Sequence, residues 1–226
     1  MESIKQTIER MKANSSQSFT KTPPNLSVKT ILKGESVRQV MVKHMNQVTA
    51  EDVTTEAVEF VVNDNNRDVL NDLHKYLMRS SGALDWNKGI LLYGKVGSGK
   101  TNMLEVLRRC ILELWRKELT IFTAQYIKSQ FYEKDQDGYP MSFMVQNYKF
   151  IGINDIGLEN RTQSGDDIIR NIIYERFERR KYTFGTMNLS LDQFKKRYEF
   201  DDGIGRMQDR FKHLFNYISL TGESFR

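Results

Sequence analysis

The segment Gly94-Lys-Val-Gly-Ser-Gly-Lys-Thr101 fits the pattern G-x-x-x-x-G-K-[ST] of a phosphate-binding loop. Glycine lets such a loop turn tightly and bring backbone N–H groups against phosphate oxygens, at the positive end of the following helix. We expect Lys100 to contact the β- and γ-phosphates of ATP and Thr101 to place its hydroxyl on Mg²⁺. The predicted ATP-binding residues are Gly94, Lys95, Val96, Gly97, Ser98, Gly99, Lys100, Thr101 and Asn102.

The elements around this loop are those that the motif requires. The apolar run GILLYG precedes it and predicts a strand, and the segment TNMLEVLRRCILELWRK comes after it as an amphipathic helix. The predicted buried face of that helix comprises Leu104, Leu107, Ile111 and Leu114. Nucleotide binding is therefore the strongest functional prediction.

A second apolar run, FIGINDIG, predicts a strand that ends in Asn154 and Asp155. We expect Asp155 to orient the attacking water, and we place Asn154 on the metal side, where its amide accepts a hydrogen bond from a water of Mg²⁺. The predicted metal site is Thr101, Asn154 and Asp155, partly through water. Because one unit charge about 4 Å away is worth on the order of 4 kcal/mol at an effective dielectric near 20, the amide should weaken metal binding. The alternative register makes Asp155 the metal-side acid and puts Ile156 at the catalytic position.

Strands alternate with helices from Gly89 onward, which predicts an α/β fold with a parallel sheet covered by helices. Further strands are expected in LTIFTA, YTFGTMN and HLFNYISL. Residues 35 to 80 have a helical pattern, residues 1 to about 15 could form a short helix, and a linker rich in Ser, Thr and Pro lies near 14–27. We therefore divide the chain into a helical N-terminal region, 1–65, and an ATPase domain, 66–226.

Composition sets broad limits on the class of protein. The 226 residues are 39% hydrophobic, and the net charge of +5 permits a polyanionic partner without requiring one. Cys110 is the only cysteine and lies in an apolar helical pattern, so we expect a buried thiol and no intrachain disulfide. The sequence has no apolar segment of 18 residues and no targeting signal, which predicts a cytoplasmic protein without a membrane partner.

These motifs resemble the DnaC/IstB-like branch of the AAA+ ATPases, which includes bacterial helicase loaders and transposition helper ATPases. In that family the phosphate loop is followed by a strand reading roughly I-D-[DE]-[IL]-G, and INDIG matches all but the first acid. The resemblance covers about residues 66 to 226. It implies a P-loop NTPase of the AAA+/ASCE type without the C-terminal helical lid that many AAA+ proteins have.

The resemblance also implies roles for polar residues after the acidic strand. Asn188, at the end of TFGTMN, resembles the family's sensor 1, although it could instead cap the next helix. GIGRMQDRF resembles the arginine-finger segment, with Arg210 as the first choice and Arg206 as the second for reaching a neighbouring subunit's γ-phosphate. The alternative for either arginine is an ordinary surface ion pair with a nearby aspartate.

The same resemblance implies the partners. They are single-stranded DNA, a replicative helicase or a transposase, and further copies of the chain in a homo-oligomer that assembles head to tail in the ATP state. Segment 126–147 lies where the family has extra helices for DNA contact and assembly, and residues 1–65 are the candidate docking region for the partner protein. The basic clusters YERFERRKY and FKKRY could track a phosphate backbone, but a solvated helix face is the preferred interpretation for each.

The most specific prediction is an ATP-dependent helicase loader that acts in DNA replication. Its alternatives are an IstB-like transposition helper, a nucleotide-binding assembly switch with weak or no hydrolysis, and a small-molecule phosphotransferase. Asn154 is the reason to consider the switch, whereas the phosphotransferase would need a lid and an acceptor pocket for which the sequence has no motif.

Overall fold

Five parallel strands form the centre of the fold in a computed structural model, which describes residues 37–51, 62, 64–131, 141–158, 168–198 and 206–220. The strands are β1 (Gly89–Tyr93), β2 (Thr120–Thr123), β3 (Phe150–Ile156), β4 (Tyr182–Met187) and β5 (Phe215–Ser219). Most of their residues are buried, as expected for a sheet that helices cover on both faces. The predicted strands are thus confirmed.

Helices connect and cover these strands. In chain order they are α1 (Val37–Glu51), α2 (Asp64–Leu77), α3 (Lys100–Trp115), α4 (Ala124–Gln130), α5 (Met141–Asn147), α6 (Ile168–Glu178), α7 (Leu191–Tyr198) and α8 (Arg206–Leu214). The four residues predicted on the buried face of α3 are all buried. One apolar cluster contains residues of α1, α2 and α3, and a second contains residues of α4, α5, α6, α7 and α8. These clusters also contain side chains from the strands of the sheet.

The strand order β2-β3-β4-β1-β5 places β4 between the strand of the phosphate loop and the strand of Asp155. Met187, the last residue of β4, pairs with Tyr93 on one side and with Ile156 on the other. The three strands therefore end at the same level. Because of this alignment, the phosphate loop after β1, Asn188 after β4 and the turn at Gly157 after β3 meet at one edge of the sheet.

Helix α1 packs against α3 over most of its length. Its buried residues Val40, Met41 and Met45 belong to the apolar cluster that also contains the buried face of α3. Arg109 of α3 pairs with Glu51 at the end of α1, and Glu113 accepts from Lys43 and His44 at 3.2 and 2.8 Å. Residues 37–51 thus share a core with the sheet domain.

Several predictions concern residues outside the described ranges. The helix over residues 1–15, the linker near 14–27 and the middle of segment 126–147 are among them. The division of the chain near residue 65 also stays a prediction. Among the described residues, no helix is long and apolar enough to cross a membrane.

Candidate nucleotide site

The phosphate loop lies between β1 and α3, as predicted. Gly97 and Gly99 have φ angles of 83° and 78°, in the left-handed region that favours glycine. Gly94, with φ of 150°, also lacks room for a side chain, because a Cβ there would lie 2.2 Å from the carbonyl oxygen of Leu220 on the β5 side. The glycines of the motif therefore have conformational and steric causes in this fold.

Lys100 begins α3 and points back into the loop. Its Nζ donates to the carbonyl oxygens of Gly94 at 3.0 Å and Lys95 at 2.6 Å, and to Oγ of Ser98 at 3.3 Å. Burial lowers the pKa of Lys100, and the charge of Asp155 opposes that shift. The loop thus holds a cation at its centre, and a cation, a glycine-rich turn and a helix N-terminus together suit a phosphate group.

Thr101 links the phosphate loop to the end of β3. Its Oγ1 donates to Oδ1 of Asn154 at 3.3 Å, and Thr186 of β4 donates to the same oxygen at 2.6 Å. The remaining atom of the amide, Nδ2, donates to Oδ2 of Asp155 at 3.1 Å. Since a carboxylate only accepts, the amide nitrogen must face Asp155 and the amide oxygen must face the two hydroxyls.

Asp155 lies at an irregularity in β3. Pairing with β4 shifts register between Ile153 and Ile156, and Asp155 has a φ of 59°, which is uncommon for a residue other than glycine. In a regular strand Asn154 and Asp155 would point to opposite faces, whereas the bulge lets their side chains meet. Ile156, the catalytic position of the alternative register, is fully buried in the core.

Thr186 is a site residue that the sequence analysis missed. Its hydroxyl accepts from the backbone N–H of Asp155 at 2.9 Å and donates to Asn154, and the residue is fully buried. It therefore supports the backbone of Asp155 where the strand ladder is interrupted. The available signal was a threonine in the otherwise apolar segment FGTM, because a buried hydroxyl in a central strand needs a partner.

Asn188 comes directly after β4 at the same edge of the sheet and is half-buried. Arg210 does not join this group. It packs on α6, with its guanidinium carbon 4.3 Å from the ring centre of Tyr174 and Nη2 3.4 Å from Oε1 of Glu178. Arg206 is the first residue of α8. The structure thus brings the predicted phosphate, metal and sensor residues together within one chain and places Arg210 elsewhere.

Comparison with known proteins gives one sequence match and several fold matches. No protein-family model matches the chain. The replicative helicase loader DnaI of Bacillus subtilis (strain 168) is 25% identical over 158 residues, which are 66% of this chain and 51% of that protein. This chain therefore spans about half the length of that relative.

The fold matches come from solved structures with low sequence identity. The crystal structure of the DnaC helicase loader has a TM-score of 0.58 at 17% identity, covering 79% of this chain and 99% of that one. That of DnaI has a TM-score of 0.57 at 17% identity and covers 85% and 100%. The replication initiator DnaA bound to AMPPCP and single-stranded DNA has a TM-score of 0.52 at 17% identity and covers 73% and 49%. The DnaI sequence match and the shared fold confirm the predicted resemblance of this chain to the DnaC-like AAA+ proteins.

Proposed function

We propose that this chain is an ATP-dependent helicase loader whose nucleotide binds at the phosphate loop. The observation that supports it most is the arrangement around Lys100, in which a buried ammonium lies inside a glycine-rich turn at the start of α3. A phosphate group would replace the loop carbonyls as the partner of that ammonium. The sequence match to a replicative helicase loader supports the choice of partner.

In this proposal Thr101 and Asn154 would hold Mg²⁺, directly or through water, and the ion would supply positive charge that neutralises the phosphates. Asp155 accepts a proton from, or orients, the attacking water. Asn188 reports on the γ-phosphate from the end of β4. The contact between Thr101 and Asn154 supports this register over the alternative, because the latter would assign chemistry to the buried Ile156.

Assembly is the second part of the proposal. A neighbouring subunit would supply Arg210, or Arg206, to the phosphates, so that subunits join head to tail and single-stranded DNA runs along the assembly. Arg210 would have to leave Tyr174 and Glu178 to do so. Such surface ion-pair and cation–π contacts are worth roughly 0.5–1 kcal/mol each, which an arginine–phosphate pair can exceed.

The test of the loader function is co-purification with the replicative helicase of the same host. We expect the full chain to retain the helicase, and ATP with Mg²⁺ to change the stoichiometry of the complex. A pull-down that recovers a transposase in place of the helicase would replace the loader by the IstB-like alternative. Recovery of neither protein from a lysate that contains both would contradict the loader proposal.

An assembly switch that hydrolyses ATP slowly is the second candidate function. The observation that favours it is the hydrogen bond from Asn154 to Asp155, which occupies one oxygen of the proposed catalytic carboxylate. Steady-state ATP turnover with and without single-stranded DNA distinguishes the two candidates. Tight ATP binding without turnover in both conditions would support the switch.

A further inference from the structure

A row of lysines lies at the edge of the sheet opposite to the phosphate loop. Lys149, Lys181 and Lys88 directly precede β3, β4 and β1, which are neighbours in the sheet, and Lys117 lies three residues before β2. Because adjacent parallel strands are about 4.8 Å apart, four strand starts span about 14 Å. The strand order thus gathers lysines from four distant parts of the sequence into one line.

The lysines of this row act on one another as like charges. Burial lowers the pKa of Lys149, and Lys117 and Arg79 lower it further. Burial likewise lowers the pKa of Lys181, to which Arg176, Arg179 and Lys149 add. Lys181 donates to the carbonyl oxygen of Asn147 at 3.2 Å, and Lys88 donates to that of Lys212 at 3.0 Å. These neutral acceptors do not remove the repulsion among the cations, which opposes folding. Charged groups whose mutual repulsion persists in the fold are candidates for binding an anion.

Three carboxylates near this row of lysines are those of Glu175, Asp85 and Glu118. Glu175 pairs with Arg179 at 3.4 Å, and the carboxylate of Asp85 accepts from the backbone N–H and the side-chain amide of Asn87 at 2.9 and 3.0 Å. Glu118 lies next to Lys117 in sequence and is exposed. Cations predominate at this edge, although the charge of Asp85 reaches Tyr182, because burial and then Asp85 raise the pKa of that phenol.

Aromatic rings accompany the row. Tyr182, which begins β4, stacks on Phe150 of β3 with ring centres 4.7 Å apart, and Tyr182 remains half-exposed. The guanidinium of Arg79 lies 4.6 Å from the ring centre of Trp115 and 5.7 Å from that of the half-exposed Trp86. Partly exposed rings beside a line of cations are what proteins use to bind single-stranded nucleic acids, since bases stack on rings while lysines contact the phosphates.

The basic residues of the segment YERFERRKY form two groups, one buried in the core and one at the surface. Arg176 is fully buried and donates to Thr183 Oγ1 and to four backbone carbonyls, among them Val145 at 2.5 Å and Tyr182 at 2.6 Å. Burial lowers its pKa to about 9. It is a structural residue that ties α5 and α6 to the strand starts, whereas Lys181 and Arg179 belong to the edge surface.

We propose that this amino edge, formed by Arg79, Lys117, Lys149 and Lys181, is a binding surface for the phosphate backbone of a single-stranded nucleic acid. It lies at the end of the strands opposite to the phosphate loop, and it gives a place to the single-stranded DNA of the proposed function, on which this inference rests. A phosphate backbone matches a line of cations because it has one charge per nucleotide. The partly exposed rings favour it over an acidic polypeptide, which would have no bases to stack on them.

The test compares two triple variants of the full chain that remove equal charge. The edge variant is Lys117→Gln with Lys149→Gln and Lys181→Gln. The control variant, Arg38→Gln with Lys43→Gln and Arg67→Gln, alters three exposed cations on α1 and α2, none of which lies at the start of a strand. Fluorescence anisotropy of a labelled oligothymidylate is measured without nucleotide over a range of salt concentrations, together with thermal unfolding and binding of a fluorescent ATP analogue.

We expect the affinity of the edge variant for the oligonucleotide to be lower by a factor of about ten or more at low salt. The slope of the logarithm of the binding constant against the logarithm of the salt concentration should become shallower by about 0.7 for each lysine removed. The control variant and a Lys→Arg triple at the edge positions should bind like the wild type, and ATP-analogue binding should be unchanged in all. Equal losses in edge and control variants would overturn the proposal, as would a wild type that does not bind. An edge variant that keeps oligonucleotide binding but loses binding to polyglutamate would assign the surface to an acidic protein.

Discussion

The amide nitrogen of Asn154 donates a hydrogen bond to the carboxylate of Asp155, with Nδ2 and Oδ2 3.1 Å apart. The same amide accepts from Thr101 and Thr186, so it makes three contacts that connect the phosphate loop, β3 and β4. An aspartate could accept from the two hydroxyls but could not donate to Asp155. The amide of Asn154 therefore has a structural role, in addition to the role predicted for it at the metal side.

Asn154→Asp should destabilise the protein when Mg²⁺ and ATP are absent, and it should strengthen Mg²⁺ binding when they are present. Without them two carboxylates face each other and a hydrogen bond is lost, so the free energy of unfolding should fall by about 1–3 kcal/mol. With them the added charge should lower the Mg²⁺ concentration needed for half-maximal ATP binding or turnover. Thermal unfolding and a Mg²⁺ titration measure the two effects. If neither changes, Asn154 has no role at the metal side.

Thr186→Val tests the residue that the sequence analysis missed. Valine has nearly the same shape but leaves the N–H of Asp155 and the amide oxygen of Asn154 short of a partner, so we expect a loss of about 1–3 kcal/mol in unfolding free energy and reduced turnover. Thr186→Ser is the matched control, because it keeps the hydroxyl, and it should retain most of both. Equal behaviour of the valine and serine variants would mean that the hydroxyl does not support Asp155.

Arg210→Ala should bind ATP normally and lose turnover. Since Arg210 is only in surface contact with Tyr174 and Glu178, stability should change by no more than about 1 kcal/mol. A mixture with Lys100→Ala provides the control, because that variant keeps its arginine and can complete the neighbour's intact phosphate loop. Partial recovery of turnover in the mixture supports action between subunits. Normal turnover in both Arg210→Ala and Arg206→Ala would exclude the finger.

Two truncations separate partner binding from folding. Removal of residues 1–36 leaves α1 in place, so we expect unchanged thermal unfolding and ATP binding together with a loss of helicase binding. Removal of residues 1–60 also deletes α1 and exposes the apolar surface of α3, so we expect a large loss of stability. Full helicase binding by the shorter deletion would place the docking surface on the remaining chain.

The strand pattern and the phosphate loop could be read from the sequence because both are local. GILLYG, KFIGIND and YTFGTMN are short apolar runs, and each became a strand. The contacts that could not be read depend on strand order, which brings residues distant in sequence together. Thr186 meets Asn154 only because β4 lies beside β3, and Lys149 meets Lys117 and Lys181 only because β2, β3 and β4 are neighbours.

The most direct test of the nucleotide site is equilibrium binding of ATP to the wild type and to Lys100→Ala, with turnover of both measured afterwards. Lys100 provides the one cation that the structure places inside the described loop, held by Gly94, Lys95 and Ser98. We predict Mg²⁺-dependent ATP binding by the wild type and a loss of at least about tenfold in affinity, with no turnover, in a variant that remains folded. Unchanged ATP affinity in folded Lys100→Ala would contradict the assignment of the phosphate loop as the nucleotide site.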